Sequence, residues 1–265
     1  MEDFIHLHVH TQFSLLDGQA SISKLVDKAV ADGMRGMAIT DHGNMFGVKE
    51  LFDYCGKVNK GRKKEGLPPF IPIFGCEMYC ARRGDMRLKE GRMDQSGWHL
   101  IVLAKNEVGY RNLIKLVSHS WVDGYYMRPR TDHTELEKYH EGLIICSACI
   151  GGEVPKKILA GDIKGAEETI QWFKNIWGDD YYLELQRHPV TNPNQRANRE
   201  TFPLQQQANK VLIELAKEHN IKLNCSNDVH LVEQEHAEAH DHLLCLSTGK
   251  DLDDPQRMLY SKQEW

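Results

Sequence analysis

Several features that define common classes of protein are missing from this sequence of 265 residues. No apolar run approaches the roughly 20 residues that a transmembrane helix needs, so no membrane span is predicted. The seven cysteines are odd in number and scattered, without the spacing of a disulfide framework, which favours a reducing, cytoplasmic location. The first predicted strand lies close to the N-terminus, and we expect no signal peptide before it.

Charge and short motifs narrow the function further. The formal net charge is -5, so no global excess of positive charge indicates a nucleic-acid-binding protein. Two local segments, 57–64 and 82–92, are rich in lysine and arginine; they could contact phosphate groups or form solvated loops. The chain has no Walker motif, no serine–histidine–aspartate arrangement and no G-x-G-x-x-G sequence after its first strand. Nucleotide binding of the doubly wound type is therefore not indicated.

The most informative stretch is the segment 4–10, Phe-Ile-His-Leu-His-Val-His. Its histidines alternate with apolar residues, and this period of two is typical of a β-strand. On a strand, His8 and His10 point to the same side about 6.6 Å apart, so their rings could share one metal ion. A polar strand face without metal is the alternative. His6 lies deeper on the same face, and a core position is favoured for it over a ligand role.

Strand and helix patterns alternate about seven times along the chain. Predicted strands after the first cover 34–40, 69–80, 99–104, 143–147, 181–186 and 222–226, and predicted helices cover 22–30, 48–54, 109–121, 152–160, 162–176, 204–219 and 233–247. A polar loop is predicted at 191–203. This alternation favours an α/β barrel of parallel strands with right-handed crossovers, and an open doubly wound sheet is the alternative.

Residues of the types that bind metals recur where these predicted strands end. They are His8, His10, Asp17, Asp41, His42, Glu77, Cys149, Asp228 and His230. Buried ionisable groups are costly unless they are paired or bound to a metal, and the strand ends of a barrel meet at one mouth. The mixture of imidazole, carboxylate and thiol suits zinc or a neighbouring transition metal better than calcium or magnesium. His236 and His240 are spaced to share a helix face, but a solvated face is favoured there over a metal pair.

Six segments resemble the polymerase-and-histidinol-phosphatase (PHP) superfamily, and in particular the PHP domains of bacterial DNA polymerase III alpha subunits. They are HLHVHTQFSLLDG, AITDHGNMFG, GCEMY, HLIVLAKN, YLELQ and NDVH, and together they extend from residue 6 to residue 230. The closing residues 253–265 also resemble the alpha subunits, just before their palm domain. The resemblance therefore implies a PHP barrel domain over 1–250 and, over 251–265, the start of a connection to an absent palm domain.

The resemblance also implies a distorted seven-stranded (β/α) barrel, with two or three divalent ions, zinc or manganese, at the C-terminal strand ends. Carried over position by position, it groups the ligands as His8, His10, Glu77 and Asp228; Asp17, His42 and His230; and Glu77, His99 and Cys149. His99 lies at the start of its predicted strand, which leaves that strand boundary open. Asp41 is expected to orient a histidine ligand, with a ligand role of its own as the alternative. Arg187 and His188 follow a predicted strand end and could contact substrate, although surface positions are favoured for them.

The implied activity is that of a metal-dependent phosphodiester hydrolase, a 3′–5′ exonuclease that removes misincorporated nucleotides with metal-activated water. The implied partners are the 3′ end of DNA, the rest of the polymerase alpha chain and other subunits of the replication holoenzyme. Polymerase activity is not expected of this segment, because its carboxylate clusters all belong to the barrel mouth. Two alternatives remain: a catalytically silent, metal-stabilised scaffold, and a free-standing phosphatase, against which the alpha-like C-terminal segment argues.

Overall fold

The computed structural model describes residues 4–189 and 201–262, so most of the loop predicted at 191–203 lies outside the described residues. The described strands form one mixed sheet and are β1 (Gly36–Ile39), β2 (Ile71–Ala81), β3 (Gly97–Ala104), β4 (Arg130–Thr131), β5 (Leu143–Cys146), β6 (Tyr181–Gln186) and β7 (Lys222–Ser226). The order in the sheet is β1-β2-β3-β5-β6-β7, and the short β4 pairs with β2. The strands predicted at 181–186 and 222–226 are confirmed residue by residue.

Strand β3 runs antiparallel to both of its neighbours, β2 and β5, so the prediction of parallel strands throughout was wrong at β3. In the register with β2, Tyr79 lies opposite His99 and Ala81 lies opposite Gly97. The start of β3 therefore lies beside the carboxyl end of β2. His99 stands at the start of its strand because the strand is reversed, and the predicted boundary was only two residues late.

The segment 4–10 has an extended course but forms only one isolated bridge, between Val9 and Val229, rather than the predicted strand. Its backbone is hydrogen-bonded at 2.7–3.1 Å to Ala38 and Thr40 on one side and to Val229 on the other. The amide of Val9 donates to the Thr40 hydroxyl at 2.8 Å, so a side chain replaces a backbone partner and interrupts the ladder. The segment thus lies between the end of β1 and the residues after β7, and it draws the two edges of the curled sheet together.

Eight α-helices lie within the described residues, and most of them pack on the sheet. They are α1 (Ile22–Ala31), α2 (Val48–Lys64), α3 (Glu107–Val122), α4 (His133–Lys138), α5 (Glu153–Leu159), α6 (Ile163–Trp177), α7 (Phe202–Glu218) and α8 (Ala237–Thr248). Helix α2 continues through the basic segment 57–64, which was predicted as a loop, because lysine and arginine are good helix formers and suit the last turn of a helix. None of the described helices is both long and apolar enough to cross a membrane.

The alternation of side chains along β3 shows how the core is divided. Leu100 and Val102 are buried in the large apolar layer between the sheet and its helices. Ile101 and Leu103 face the other way, into a smaller apolar cluster inside the curl of the sheet. His99 is on the same inner face, one step closer to the end where the polar side chains gather. An apolar floor therefore lies beneath the polar site.

Candidate metal centre

The structure brings all nine of the predicted ligand residues into one cluster. Three groups present nitrogen, oxygen or sulfur atoms within 4.8 Å of one another: His8, His10 and Asp228; His10, His42 and His230; and Glu77, His99 and Cys149. Asp17 joins the second group, since its Oδ2 lies 2.7 Å from His42 Nε2 and 3.6 Å from His230 Nε2. His10 is thus shared between two groups, a feature that the family pattern did not predict.

Glu77 lies at the centre of the cluster, on the inner face of β2, and is 1% exposed. Its Oε1 is 2.7 Å from His99 Nδ1 and 3.5 Å from His8 Nε2, while its Oε2 contacts His42 Nδ1. One carboxylate therefore touches a member of each group. Burial would raise the pKa of Glu77, but the nearby charges of His99 and His42 hold that pKa well below its usual value.

Asp228 provides the clearest indication that the cluster fits a cation. Its Oδ1 is buried and accepts no hydrogen bond from the described residues, although it lies 3.1 Å from His8 Nε2 and 3.2 Å from His10 Nε2. The residue also has a left-handed φ of 51°, a conformation that costs about 1–2 kcal/mol for a non-glycine residue. A buried anionic oxygen between two ring nitrogens is costly by itself, and a bound divalent ion would compensate it.

His8 is held from behind by Glu184, a buried carboxylate on β6 that the sequence analysis missed. The Nδ1–H of His8 donates to Glu184 Oε1 at 2.7 Å, which leaves Nε2 directed at the cluster. Glu184 Oε1 also accepts from Gln186 Nε2 at 2.9 Å and from the hydroxyl of Ser226. Glu184 and Gln186 are polar residues at alternate positions of an otherwise apolar strand, and that alternation was the available signal.

His10 is oriented through Ser14 and Asp41. The Ser14 hydroxyl donates its proton to Asp41 Oδ1 at 2.8 Å, so the 2.9 Å contact with His10 Nδ1 requires Nδ1–H to donate to Ser14. His10 Nε2 then faces the cluster as an acceptor. Burial and the charges of His42 and His230 lower the pKa of His10 to about 3, which favours the neutral ring that a metal ligand requires. Asp41 therefore orients the candidate ligand His10 indirectly, through the hydroxyl of Ser14.

The electrostatic environment of His8 differs from that of His10. Burial lowers the pKa of His8, but the charges of Asp228 and Glu184 outweigh burial and hold that pKa well above its usual value. The potential around His8 Nε2 is therefore strongly negative. The same potential would attract a divalent ion.

The two predicted substrate contacts lie in different places. His188 is buried and lines the cavity of about 300 Å³ that opens onto the cluster; its Nε2–H donates to the carbonyl of Asn227 at 2.9 Å. Arg187 is exposed and lines a separate cavity, with its guanidinium 5.8 Å from the centre of the Phe202 ring. The structure therefore places only His188 at the cluster.

His240 corrects a further expectation. It was predicted on a solvated helix face with His236, but it is 2% exposed and its Nε2–H donates to the backbone carbonyl of Asp17 at 2.7 Å. His236 instead lies at the start of α8, with its Nδ1 accepting from the Glu233 amide at 3.4 Å. The two rings thus have separate roles, and His240 holds the loop that carries Asp17.

A curled mixed sheet covered by helices, with imidazole, carboxylate and thiol groups gathered at one end, defines an α/β domain suited to binding metal ions. The model of the PHP domain family matches residues 6–188, and the chain belongs to that family. The predicted family is confirmed.

The relatives are consistent with this assignment. The chain is 42% identical to the DNA polymerase III subunit alpha of Borreliella burgdorferi and 40% identical to that of Treponema pallidum, over 99% of its own length in each case. It spans 21% of the length of these relatives. A solved structure described as a metal-dependent phosphoesterase from Bifidobacterium adolescentis superposes with a TM-score of 0.50 at 16% identity, covering 87% of this chain and 89% of that one. That likeness shows a shared fold.

Proposed function

We propose that this domain is a metal-dependent phosphodiesterase that removes nucleotides from the 3′ end of DNA, as part of a DNA polymerase III alpha chain. The observation that carries the proposal is Glu77, one buried carboxylate in contact with members of three ligand groups. The similarity over 99% of the chain to polymerase alpha subunits supports DNA as the substrate. The rest of the alpha chain and the other subunits of the replication holoenzyme are the proposed partners.

The ligand groups would hold two or three divalent ions, and the mixture of donors suits zinc or manganese. The proposed sets are His8, His10, Glu77 and Asp228; Asp17, His42 and His230; and Glu77, His99 and Cys149. Bound divalent ions supply the chemistry of the reaction, since they polarise phosphoryl oxygens and lower the pKa of water. The proposed (β/α)7 barrel, which the segment 4–10 would close by its backbone hydrogen bonds to both edges of the sheet, would place every set at one mouth.

The residues around these ligands position them and receive the substrate. Glu184 and Ser14 fix which ring nitrogens of His8 and His10 face the cluster. Lys156 is exposed, lines the same cavity and offers a cation to a phosphate oxygen. Glu184 and Asp41 add two carboxyl groups to the site, so we attribute phosphate binding to the ions and to Lys156 rather than to a large net positive charge.

The two basic segments differ in their suitability for guiding the DNA backbone. In 82–92, Arg83 is already paired with Asp94 at 2.6 Å and Glu90 at 3.1 Å, and Arg82 lies over the Trp98 ring. The segment 57–64 forms the exposed end of α2, with three basic residues in its last turn. We therefore favour 57–64 for contacts with phosphates away from the cleaved end, because Asn59 bonds to Phe70 beside the start of β2, six residues along that strand from Glu77. Such contacts would make cleavage weaken as salt concentration rises.

The test is cleavage of a labelled single-stranded oligonucleotide with manganese or zinc, with a chelator control and a small phosphomonoester for comparison. Asp228→Asn removes one ligand charge and should slow cleavage, and Glu77→Gln should slow it further because Glu77 contacts three groups. Glu168→Gln, at an exposed pair with Lys164, is the matched control. If the wild-type protein binds its metals but cleaves no faster than Glu77→Gln, the exonuclease proposal fails.

One observation favours a second role, as a metal-stabilised scaffold for the polymerase. Phe46, Trp121, Tyr125 and Met127 are 43–65% exposed, and the Trp121 and Tyr125 rings are stacked with their centres 5.5 Å apart. An exposed apolar patch of this kind commonly marks a protein contact. Hydrogen exchange at 121–127 should then be slower in the full alpha chain than in this domain. Equal exchange in both would argue against the scaffold.

A further inference from the structure

The segment 257–262, which we call the strap, crosses one side of the metal cavity and is held at both ends by one carboxylate. Asp241, on α8, accepts from Arg257 Nη2 at 3.4 Å, and its Oδ2 lies 3.2 Å from Lys262 Nζ. The Asp241 side chain is only 9% exposed, so these ion pairs are screened less by solvent than ordinary surface pairs. The four residues between the two pairs are thereby held in place against the domain.

Those four residues, 258–261, line the cavity together with His42, Glu77 and Cys149. Tyr260 contacts two of the candidate ligands directly. Its hydroxyl lies 3.0 Å from both carboxylate oxygens of Asp17 and 3.5 Å from His230 Nε2, and its ring packs edge-on against His230 with the centres 4.8 Å apart. Nothing in the sequence pattern marked Tyr260, because its contacts with Asp17 span 243 positions.

We propose that the strap, through Tyr260, makes this site selective for the end of a DNA strand; the proposal rests on the phosphodiesterase function above. A strand cut at an internal position must enter the site and leave it again, so it needs an opening on two sides. The strap closes the side of Asp17 and His230. The remaining cavity of about 300 Å³ is at the lower end of the range for small-ligand sites, which suits one terminal nucleotide.

Tyr260 also acts as a positioning residue for Asp17. Its hydroxyl has one proton to donate and faces both oxygens of the carboxylate at equal distance. His240 holds the backbone of the same residue from the other side, through the carbonyl of Asp17. Removing the Tyr260 hydroxyl therefore leaves the Asp17 backbone and the contact of its carboxylate with His42 in place but removes one hydrogen bond that orients the carboxylate. Removing the whole ring also opens the side of the cavity that the strap closes.

Three substitutions separate these effects. Tyr260→Ala removes the wall and leaves the pairs of Asp241 intact, while Asp241→Ala releases both ends of the strap. Tyr260→Phe keeps the ring and removes only the hydroxyl. Asp53→Ala, which breaks an exposed pair with Lys49 on α2, is the matched control.

The first measurement compares a linear single-stranded oligonucleotide with circular single-stranded DNA, which has no ends, in the presence of manganese. The wild-type protein should cleave the linear substrate much faster than the circular one. Tyr260→Ala and Asp241→Ala should raise the ratio of circular to linear cleavage roughly tenfold, a change of about 1.4 kcal/mol in discrimination, because each variant opens the side of the cavity that the strap closes. Tyr260→Phe should keep the wild-type ratio but lower kcat on the linear substrate. A wild-type protein that cuts the circle equally well, or a Tyr260→Ala ratio equal to that of the wild type, would overturn the proposal.

The second measurement does not depend on activity. Cys149 lines the cavity, and its alkylation can be followed by peptide mass mapping with a small reagent, iodoacetamide, and a bulky one, a polyethylene glycol maleimide, in the presence of a chelator. Tyr260→Ala and Asp241→Ala should raise the rate with the bulky reagent relative to the small one, and Asp53→Ala should not. If no DNA is cut but this ratio rises, the phosphodiesterase function fails and the strap remains the wall of the cavity. If the ratio is unchanged, the strap proposal fails whatever the activity.

Discussion

The buried carboxylate of Glu184 offers a sharp test of how the cluster would bind its ions. Glu184→Gln keeps the size and shape of the side chain and removes its charge. The glutamine carbonyl can still accept the Nδ1–H of His8, so the ring orientation is retained. The substitution therefore isolates the electrostatic effect of Glu184 on the ring nitrogen that faces the cluster.

The size of the effect follows from the contacts of Glu184. Its Oε1 accepts from His8 Nδ1 at 2.7 Å, and the residue is 2% exposed, so its charge is poorly screened. Loss of a group that supports a metal-ligating histidine typically costs 10–100-fold in metal affinity, or about 1.4–2.7 kcal/mol. The difference between a charge-assisted and a neutral hydrogen bond, about 1–2 kcal/mol, gives a similar figure. We expect the group of His8, His10 and Asp228 to weaken by this amount.

The assay is a competition titration of zinc against a chromophoric chelator, combined with cobalt substitution. Cobalt bound at Cys149 gives a thiolate charge-transfer band, so the group of Glu77, His99 and Cys149 can be followed separately. Glu184→Gln should weaken one ion and leave this band unchanged, and Glu168→Gln should change neither. Equal weakening of every ion, or full wild-type affinity in Glu184→Gln, would refute the assignment of Glu184 to His8.

Two predictions concern stability. Burial raises the pKa of Glu153, but hydrogen bonds from His133 and Lys157 outweigh burial and lower that pKa from 4.5 to about 2. Glu153 should therefore contribute up to about 3 kcal/mol to the free energy of unfolding above pH 4.5, and this contribution should disappear as the pH falls towards 2. Urea unfolding of Glu153→Gln and of the control Glu168→Gln across this range should show the difference in stability between them shrinking. In α3, a Cβ on Gly109 would lie 1.7 Å from the Gly142 carbonyl oxygen, so Gly109→Ala should destabilise the fold by about 1–3 kcal/mol or more. In α2, a Cβ on Gly61 would have no atom within 4 Å, so Gly61→Ala should stabilise the fold by about 0.5–1 kcal/mol. Thermal unfolding of the two variants should show these opposite effects.

The parts of the site that sequence could predict are those in which residue type and local position carry the information. His8 and His10 alternate with apolar residues, so their shared direction follows from an extended backbone. That inference survived even though the segment 4–10 forms only one bridge, because side-chain direction depends on the local backbone and not on pairing. The strands at 181–186 and 222–226 were predicted to the residue for a similar reason, since apolar residues recur at every second position in each, at 181, 183 and 185 and at 223 and 225.

The supporting residues could not be predicted because their contacts span long stretches of chain. Glu184 lies 176 positions from His8, and Tyr260 lies 243 positions from Asp17. For His240, a long-range contact made the local prediction wrong. The spacing of four residues predicts that His236 and His240 share a helix face, and that face was expected to be solvated. His240 is buried only because α8 packs against the loop of Asp17. Local periodicity describes a helix but does not identify what the helix packs against.

The reversal of β3 has the largest consequence for the site. In a parallel β3 of the same length, His99 would lie about five residues, or roughly 17 Å, from the carboxyl end of its strand. Such a position is far beyond the reach of a ligand shared with Glu77. In the observed antiparallel register, Glu77 lies opposite Ile101, so His99 is the diagonal neighbour of Glu77 on the same inner face. Its Nδ1 is then 2.7 Å from Glu77 Oε1, and the third ligand group exists because one strand runs against its neighbours.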